Sequence, residues 1–179
     1  MMDSDLKALI GMWGQAIGTL LSAISSTPSS KLNETMQNNL SLLGNVMQAT
    51  GNALVADSEK EITLGKLGNQ IQAIGNSTCI AGIVINFNDE TKSELNIKGN
   101  LLQALGSGMA LPDLLNSKNR TMDDLLNIYA SLLQMIGNSL QAIGGKIDLS
   151  GGNGQIINFV GSWIQTVGAF IQALVQSKN

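Results

Sequence analysis

The side chains whose spacing could do chemistry in this 179-residue chain are two pairs of carboxylates, Asp123-Asp124 and Glu59/Glu61. Two adjacent acids are what general acid–base catalysis or a divalent cation needs. Both pairs, however, fall where a helix is expected to begin. Carboxylates placed there satisfy free N–H groups and complement the helix dipole, so a structural role is expected for each. Other reactive groups are scarce: there is no His, and the one Cys is Cys79. Disulfide scaffolds, His-containing zinc sites and His-based catalysis are therefore excluded. Cys79 reads as a small buried apolar residue rather than a reactive thiol. No GxxxxGK[ST] phosphate loop occurs, and no GxGxxG joins a strand to a helix. The chain thus reads as non-enzymatic, with no catalytic, cofactor-binding or metal-binding residue and no cofactor.

What recurs instead is a packing motif. Gly137-Asn138-Ser139-Leu140-Gln141-Ala142-Ile143-Gly144 has close copies starting at Gly44, Gly68 and Gly99, and looser ones at Gly11 and Gly161. The glycines are seven residues apart, which is a helical signal. With glycine at heptad position a, large apolar residues fall at d (Leu140, Ile71, Leu102) and g (Ile143, Ile74, Leu105). At about 100° per residue, g, d and a form one stripe, bordered by Gln at e, with Asn at b and Ala at f on the far side. Glycine inside a helix costs roughly 1 kcal/mol relative to Ala. Close approach of a second backbone would offset it, as small residues allow at tight crossings. The expected helix-packing glycines are Gly11, Gly18, Gly44, Gly51, Gly68, Gly75, Gly99, Gly106, Gly137, Gly144, Gly161 and Gly168.

The pattern predicts an all-α protein, a six-helix bundle built from two tandem three-helix units. The helices are expected over about Asp5–Ser25, Lys31–Ala56, Ser58 to Asn86, Thr91 to Ala110, Thr121 to Lys146 and Gln155 to Gln176. Ser58-Glu59-Lys60-Glu61 and Thr91-Lys92-Ser93-Glu94 read as capping boxes. The second and third helices could also be continuous, because Gly44, Gly51, Ser58 and Gly65 keep one register. Helix one matches helix four at an offset of 88 residues, and helices two and three match five and six at 93. Residues 1–88 and 89–179 are accordingly expected to be the two units, together one compact domain.

Charge is distributed unusually. Charged residues are 13% of the chain, aromatic ones 3%, and the net charge is −3, which with no basic run excludes nucleic acid as a partner. No charge occurs between Lys7 and Lys31, Glu34 and Asp57, Lys66 and Asp89, Asp124 and Lys146, or Asp148 and Lys178. Such spans are long enough to cross a bilayer. Their Asn and Gln side chains would be costly in hydrocarbon without partners, which argues against permanent spanning and leaves interfacial or oligomeric insertion open. Trp13 and Trp163 read as packing residues on the margin of the stripe, with an interfacial anchor as the lesser alternative. The acidic start, Met1-Met2-Asp3-Ser4-Asp5, lacks the basic lead of a secretory signal, so a cytoplasmic location is expected.

The copies at Gly68–Gly75 and Gly137–Gly144 resemble repetitive glycine-heptad helical proteins of unknown function from spore-forming bacteria. The resemblance implies a bacterial origin and carries over no functional residue. The expected function is a structural or self-associating helical protein, its partner another copy of itself or a lipid surface. The alternative is a membrane-active protein that inserts or oligomerises on lipid. A carrier of an apolar ligand is a third, weaker reading.

Overall fold

In the computed structural model, which describes residues 3–28, 31–116 and 119–178, the glycine heptads lie on six long helices. These are α1 (Ser4–Ser26), α2 (Glu34–Ser58), α3 (Leu64–Val84), α4 (Asp89–Met109), α6 (Met122–Leu149) and α7 (Gln155–Gln176). A short helix, α5 (Leu111–Asn116), lies between α4 and α6. Among the described residues there is no strand.

Polar side chains set several helix starts. Asn33 accepts from the Met36 N–H at 2.9 Å, and Asn88 from Thr91 N–H at 2.8 Å. At α6 a full capping box forms between Thr121 and Asp124. Thr121→Ala should lower stability by about 1 kcal/mol, read as a small downward shift of the thermal transition followed by circular dichroism. Two expected boxes are corrected. α2 runs through Ser58, which keeps Val55 and Ala56 buried, and α3 starts after Thr63, whose hydroxyl accepts from Lys66 N–H at 2.9 Å. α2 and α3 are therefore separate helices. α4 starts at Asp89 rather than Thr91, because Asn88 is an equally good cap and brings Asp89 and Glu90 into the first turn.

The long helices form a closed ring in the order α1, α2, α3, α4, α6, α7, and α7 packs back on α1. Among the described residues, the backbone of each long helix approaches only two other long helices. Closure is polar as well as apolar. The Trp13 indole donates to Ser177 Oγ at 3.0 Å, the Trp163 indole to Thr27 Oγ1 at 3.2 Å, and Ser26 and Ser162 share a hydrogen bond of 2.5 Å.

Tight and looser contacts alternate around the ring, and the tight ones are three antiparallel hairpins: α1–α2, α3–α4 and α6–α7. In each, glycine faces glycine. A Cβ on Gly18 would stand 2.6 Å from the Gly44 carbonyl, one on Gly75 2.7 Å from that of Gly99, and one on Gly137 2.6 Å from that of Gly161. One level further along, Gly11 meets Gly51, Gly68 meets Gly106, and Gly168 meets Ala130, the one alanine in this set. Gly144 faces Gly154 at the closed end of the third hairpin. At the glycines of these crossings there is no room for a side chain. Residues 85–88, at the junction of the expected halves 1–88 and 89–179, form the connection of the α3–α4 hairpin. Offsets in sequence relate similar helices, whereas the glycine crossings decide which helices touch.

The stripe also faces the other way from expectation. The a, e, b and f positions are contiguous on a helix and point inward; g points outward. At g, Ile17 is 41% exposed, Ile74 58%, Leu105 57%, Ile143 51% and Val167 51%. At b, Asn52, Asn76 and Asn138 are at most 2% exposed, and the f-position alanines Ala16, Ala104 and Ala142 are buried. Among the described residues fifteen polar side chains are buried against twelve apolar ones, of which eight are alanine. Ile128 is the largest aliphatic side chain in that buried set. The interior is therefore made of amides, hydroxyls and small groups, the g-position isoleucines and leucines stand outside, and the d-position residues Ile71, Leu102 and Leu140 are half-buried.

Candidate functional site: a polar axis through the ring

The e-position glutamines follow the crossing glycines by one helical turn, so the fold gathers them in two layers of three. One layer is Gln48, Gln103 and Gln165, four residues after Gly44, Gly99 and Gly161. The other is Gln15, Gln72 and Gln134, four residues after Gly11, Gly68 and Ala130. The first layer spans the axis. Its members sit on α2, α4 and α7, helices that are not ring neighbours, yet Gln165 Nε2 donates to Gln48 Oε1 at 3.1 Å and to Gln103 Oε1 at 3.2 Å. Gln165 Oε1 accepts from Gln141 Nε2 at 2.8 Å. This network fixes the amide orientation, since a flipped Gln165 would set its oxygen against two others. Outer partners continue it: Gln48 Nε2 donates to Ser22 Oγ at 3.1 Å, and Gln103 Nε2 reaches Cys79 Sγ at 3.8 Å. In the second layer Gln134 Nε2 donates to Gln172 Oε1 at 2.6 Å, and Ser107 Oγ donates to Gln72 Oε1 at 3.3 Å.

A cavity lies on either side of the Gln48–Gln165–Gln103 layer. The first, about 240 Å³, is floored by these three and widens past Asn45, Asn100 and Ser25 toward the exposed Asn38. Its lining places it at the end where α1, α3 and α6 finish and α2, α4 and α7 begin. The second, about 180 Å³, lies at the opposite end among Asn69, Gln72, Asn127, Ser131, Gln134 and Gln172, with Leu114 of α5 at its edge. At the liquid's share per molecule, these volumes hold roughly eight and six waters. Among the described residues, five buried amide atoms find no partner in the protein: Gln15 Nε2, Asn52 Oδ1, Asn76 Oδ1 and both amide atoms of Asn138. Each would cost about 1–3 kcal/mol if left dry, so the interior is built for water or another hydrogen-bonding guest. Among the described residues, no Asp, Glu, Lys or Arg lines either cavity.

Most charges stand near the helix ends, and some pair with one another. Lys7 of α1 pairs with Asp57 of α2, and Lys178 pairs with Asp123 at 2.8 Å. The carboxylates that invited acid–base chemistry are thus dispersed: Asp123 is in that pair, Asp124 caps α6, and Glu59 accepts from Thr63. Cys79 is buried beside Gln103 and touches the first cavity. The Trp13 and Trp163 side chains run to opposite ends of the ring, where their indoles meet Ser177 and Thr27.

Between the rims the outside is apolar. α1 and α7 are long and apolar enough to cross a membrane, and only 33% and 39% of their most apolar windows is buried. Polar side chains interrupt the apolar outside at Thr50, Gln70 and Ser77, and on α4 Lys98 pairs with Glu94 at 2.7 Å.

The glutamines and asparagines are the residues that sequence reasoning placed on the border and back of the stripe. The signal that finds them was present in the heptad: a, e, b and f are most often Gly, Gln, Asn and Ala, while g and d are mostly large and apolar. In a chain with so few charges, the polar face is the inner one. No curated protein and no solved structure matches the chain. A family model covering residues 6–173 does, and the chain belongs to that family of unknown function, DUF6944.

Proposed function

We propose that this protein is non-enzymatic and works inserted in a lipid bilayer, with acyl chains covering the outer face of the ring. The observation that carries the reading is the inverted side-chain distribution: amides within, isoleucine and leucine without. In water, such an apolar surface is unfavourable and normally marks something to be covered. In lipid there is no hydrophobic force between helices, and small residues with interhelical hydrogen bonds hold them together. Glycine crossings and glutamine layers are what that environment requires. The long helices run from 21 to 28 residues, or roughly 32–42 Å, enough for a hydrocarbon core of about 30 Å. Most of the mid-helix Asn and Gln side chains, which argued against spanning when each helix was considered alone, are turned inward here, away from lipid contact.

A second reading, self-association, is favoured by one observation. Lys98 is ten residues into α4, about 14 Å along the helix, where the equivalent positions of the other hairpins hold Leu43 and Val160. A charge pair there suits an outer face covered by another copy better than one covered by acyl chains. The apolar-ligand carrier is less well supported, because the larger of these two cavities is lined mainly by amides and hydroxyls and the other mixes amides with Met12, Leu114 and Val175.

Flotation tests the proposal. The purified chain, mixed with phosphatidylcholine/phosphatidylglycerol vesicles and centrifuged through a density gradient, is expected in the floating fraction and to resist carbonate extraction. Protein that stays at the bottom as a defined oligomer would replace the membrane reading with self-association.

A further inference from the structure

We propose that the polar axis is a conduit for water and small uncharged hydrogen-bonding solutes, with Gln165 as its gate. The inference rests on the membrane reading and adds what passes through the ring. Three observations carry it. Two cavities lie at opposite ends of the ring, each edged by amide side chains. The two glutamine layers lie between them, and in the first Gln165 bridges Gln48 and Gln103 across the lumen. Among the described residues, amide atoms of the buried Asn52, Asn76 and Asn138 have no partner in the protein.

The lining dictates the class of solute. A pore for ions needs rings of charged side chains or backbone carbonyls to replace the hydration shell. This axis has neither carboxylate nor ammonium among its lining residues, and its helical carbonyls are engaged within the helices. Amides and hydroxyls, by contrast, offer donors and acceptors together. Water or a small amide or polyol can replace the hydrogen bonds of the closed layer one for one. Swinging the Gln165 side chain aside breaks its two bonds to Gln48 and Gln103 and leaves three amides facing the permeant. An ion entering the same layer would lose its hydration shell without full compensation.

The test uses the full chain reconstituted in phosphatidylcholine/phosphatidylglycerol vesicles, with flotation confirming incorporation, and stopped-flow light scattering after an osmotic step. With sucrose outside, vesicles carrying protein should shrink severalfold faster than protein-free ones. With glycerol or urea outside, they should then re-swell faster, while trapped potassium stays inside. Gln165→Met keeps the length of the side chain and removes its hydrogen bonds, so shrinkage should fall back toward the protein-free rate. Gln70, on α3 away from both glutamine layers, supplies the control: Gln70→Met should leave the rate unchanged. Vesicles that float with protein but shrink at the protein-free rate would overturn the conduit and leave the membrane reading standing. Potassium leaking as fast as water moves would overturn the assignment to neutral solutes. Failure to float would remove the membrane reading itself.

Discussion

Gly137→Leu should prevent the α6–α7 hairpin from closing, and even Gly137→Ala should destabilise the protein. A Cβ at this position would lie 2.6 Å from both the Gly161 carbonyl and the Gln165 backbone nitrogen. Those atoms belong to a helix and cannot swing away as a side chain could. Overpacking costs roughly 1–3 kcal/mol, and the better helix propensity of alanine returns only about 1 kcal/mol. A backbone obstacle puts Gly137→Ala toward the costly end, and leucine beyond it. Gly14 is the internal control, since a Cβ there would meet its nearest atoms at an ordinary 3.6 Å. Gly14→Ala should be neutral or stabilise by up to about 1 kcal/mol. Thermal and denaturant unfolding of the two alanine variants decides the matter. If both shift stability in the same direction by the same amount, the glycine crossings do not hold the hairpins together.

The second large effect concerns the outside of the ring. Ile17, Ile74 and Ile136 immediately precede Gly18, Gly75 and Gly137, lie near mid-helix on three different hairpins, and are 41%, 58% and 46% exposed. Replacing all three by Lys adds charge where the bilayer centre would be. Each lysine costs about 2.5–3.5 kcal/mol there, so the triple variant should no longer float with vesicles. Its helical circular dichroism in water should be unchanged and its solubility higher, because no replaced side chain packs in the interior. A triple variant that still floats would show that the g positions do not face lipid. A variant that loses its helical signal would show that they are core residues.

The helices were largely legible from the heptad alone, because a glycine every seventh residue leaves a periodic signal that loops do not maintain. The facing of the helices was not. Placing d and g inside follows the rule that apolar groups leave water, whereas in the ring the g residues Ile74 and Leu105 stand outside and the d residues Ile71 and Leu102 are half-buried. Gln48, Gln103 and Gln165 were visible as a repeated type at a repeated position, yet their meeting on one axis depends on ring closure by α1 and α7. Closure rests on pairs such as Ser26–Ser162, separated by most of the chain, which no local pattern announces. Helix pairing was hidden for a related reason. The offsets of 88 and 93 compare helices by similarity, but Gly75 chooses Gly99 because the four residues of 85–88 make a short turn between them. Boundaries failed where two caps competed, as Asn88 did with Thr91.

The alternation of tight hairpins has a consequence for how the chain would enter a membrane. All three hairpin tips point to one end of the ring, and the two ends of the described chain lie at the other. The tip segments 27–33, 85–88 and 150–154 contain a single charged side chain among them, Lys31. The described connections at the opposite end carry Glu59, Lys60, Glu61, Asp113 and Arg120. Under the proposed membrane reading, entry would have a built-in polarity: the tips would lead across the hydrocarbon and the charged bases would remain where they started. The α3–α4 pair would be the costliest to move, since Asp89, Glu90, Lys92, Glu94 and Lys98 follow its tip on α4.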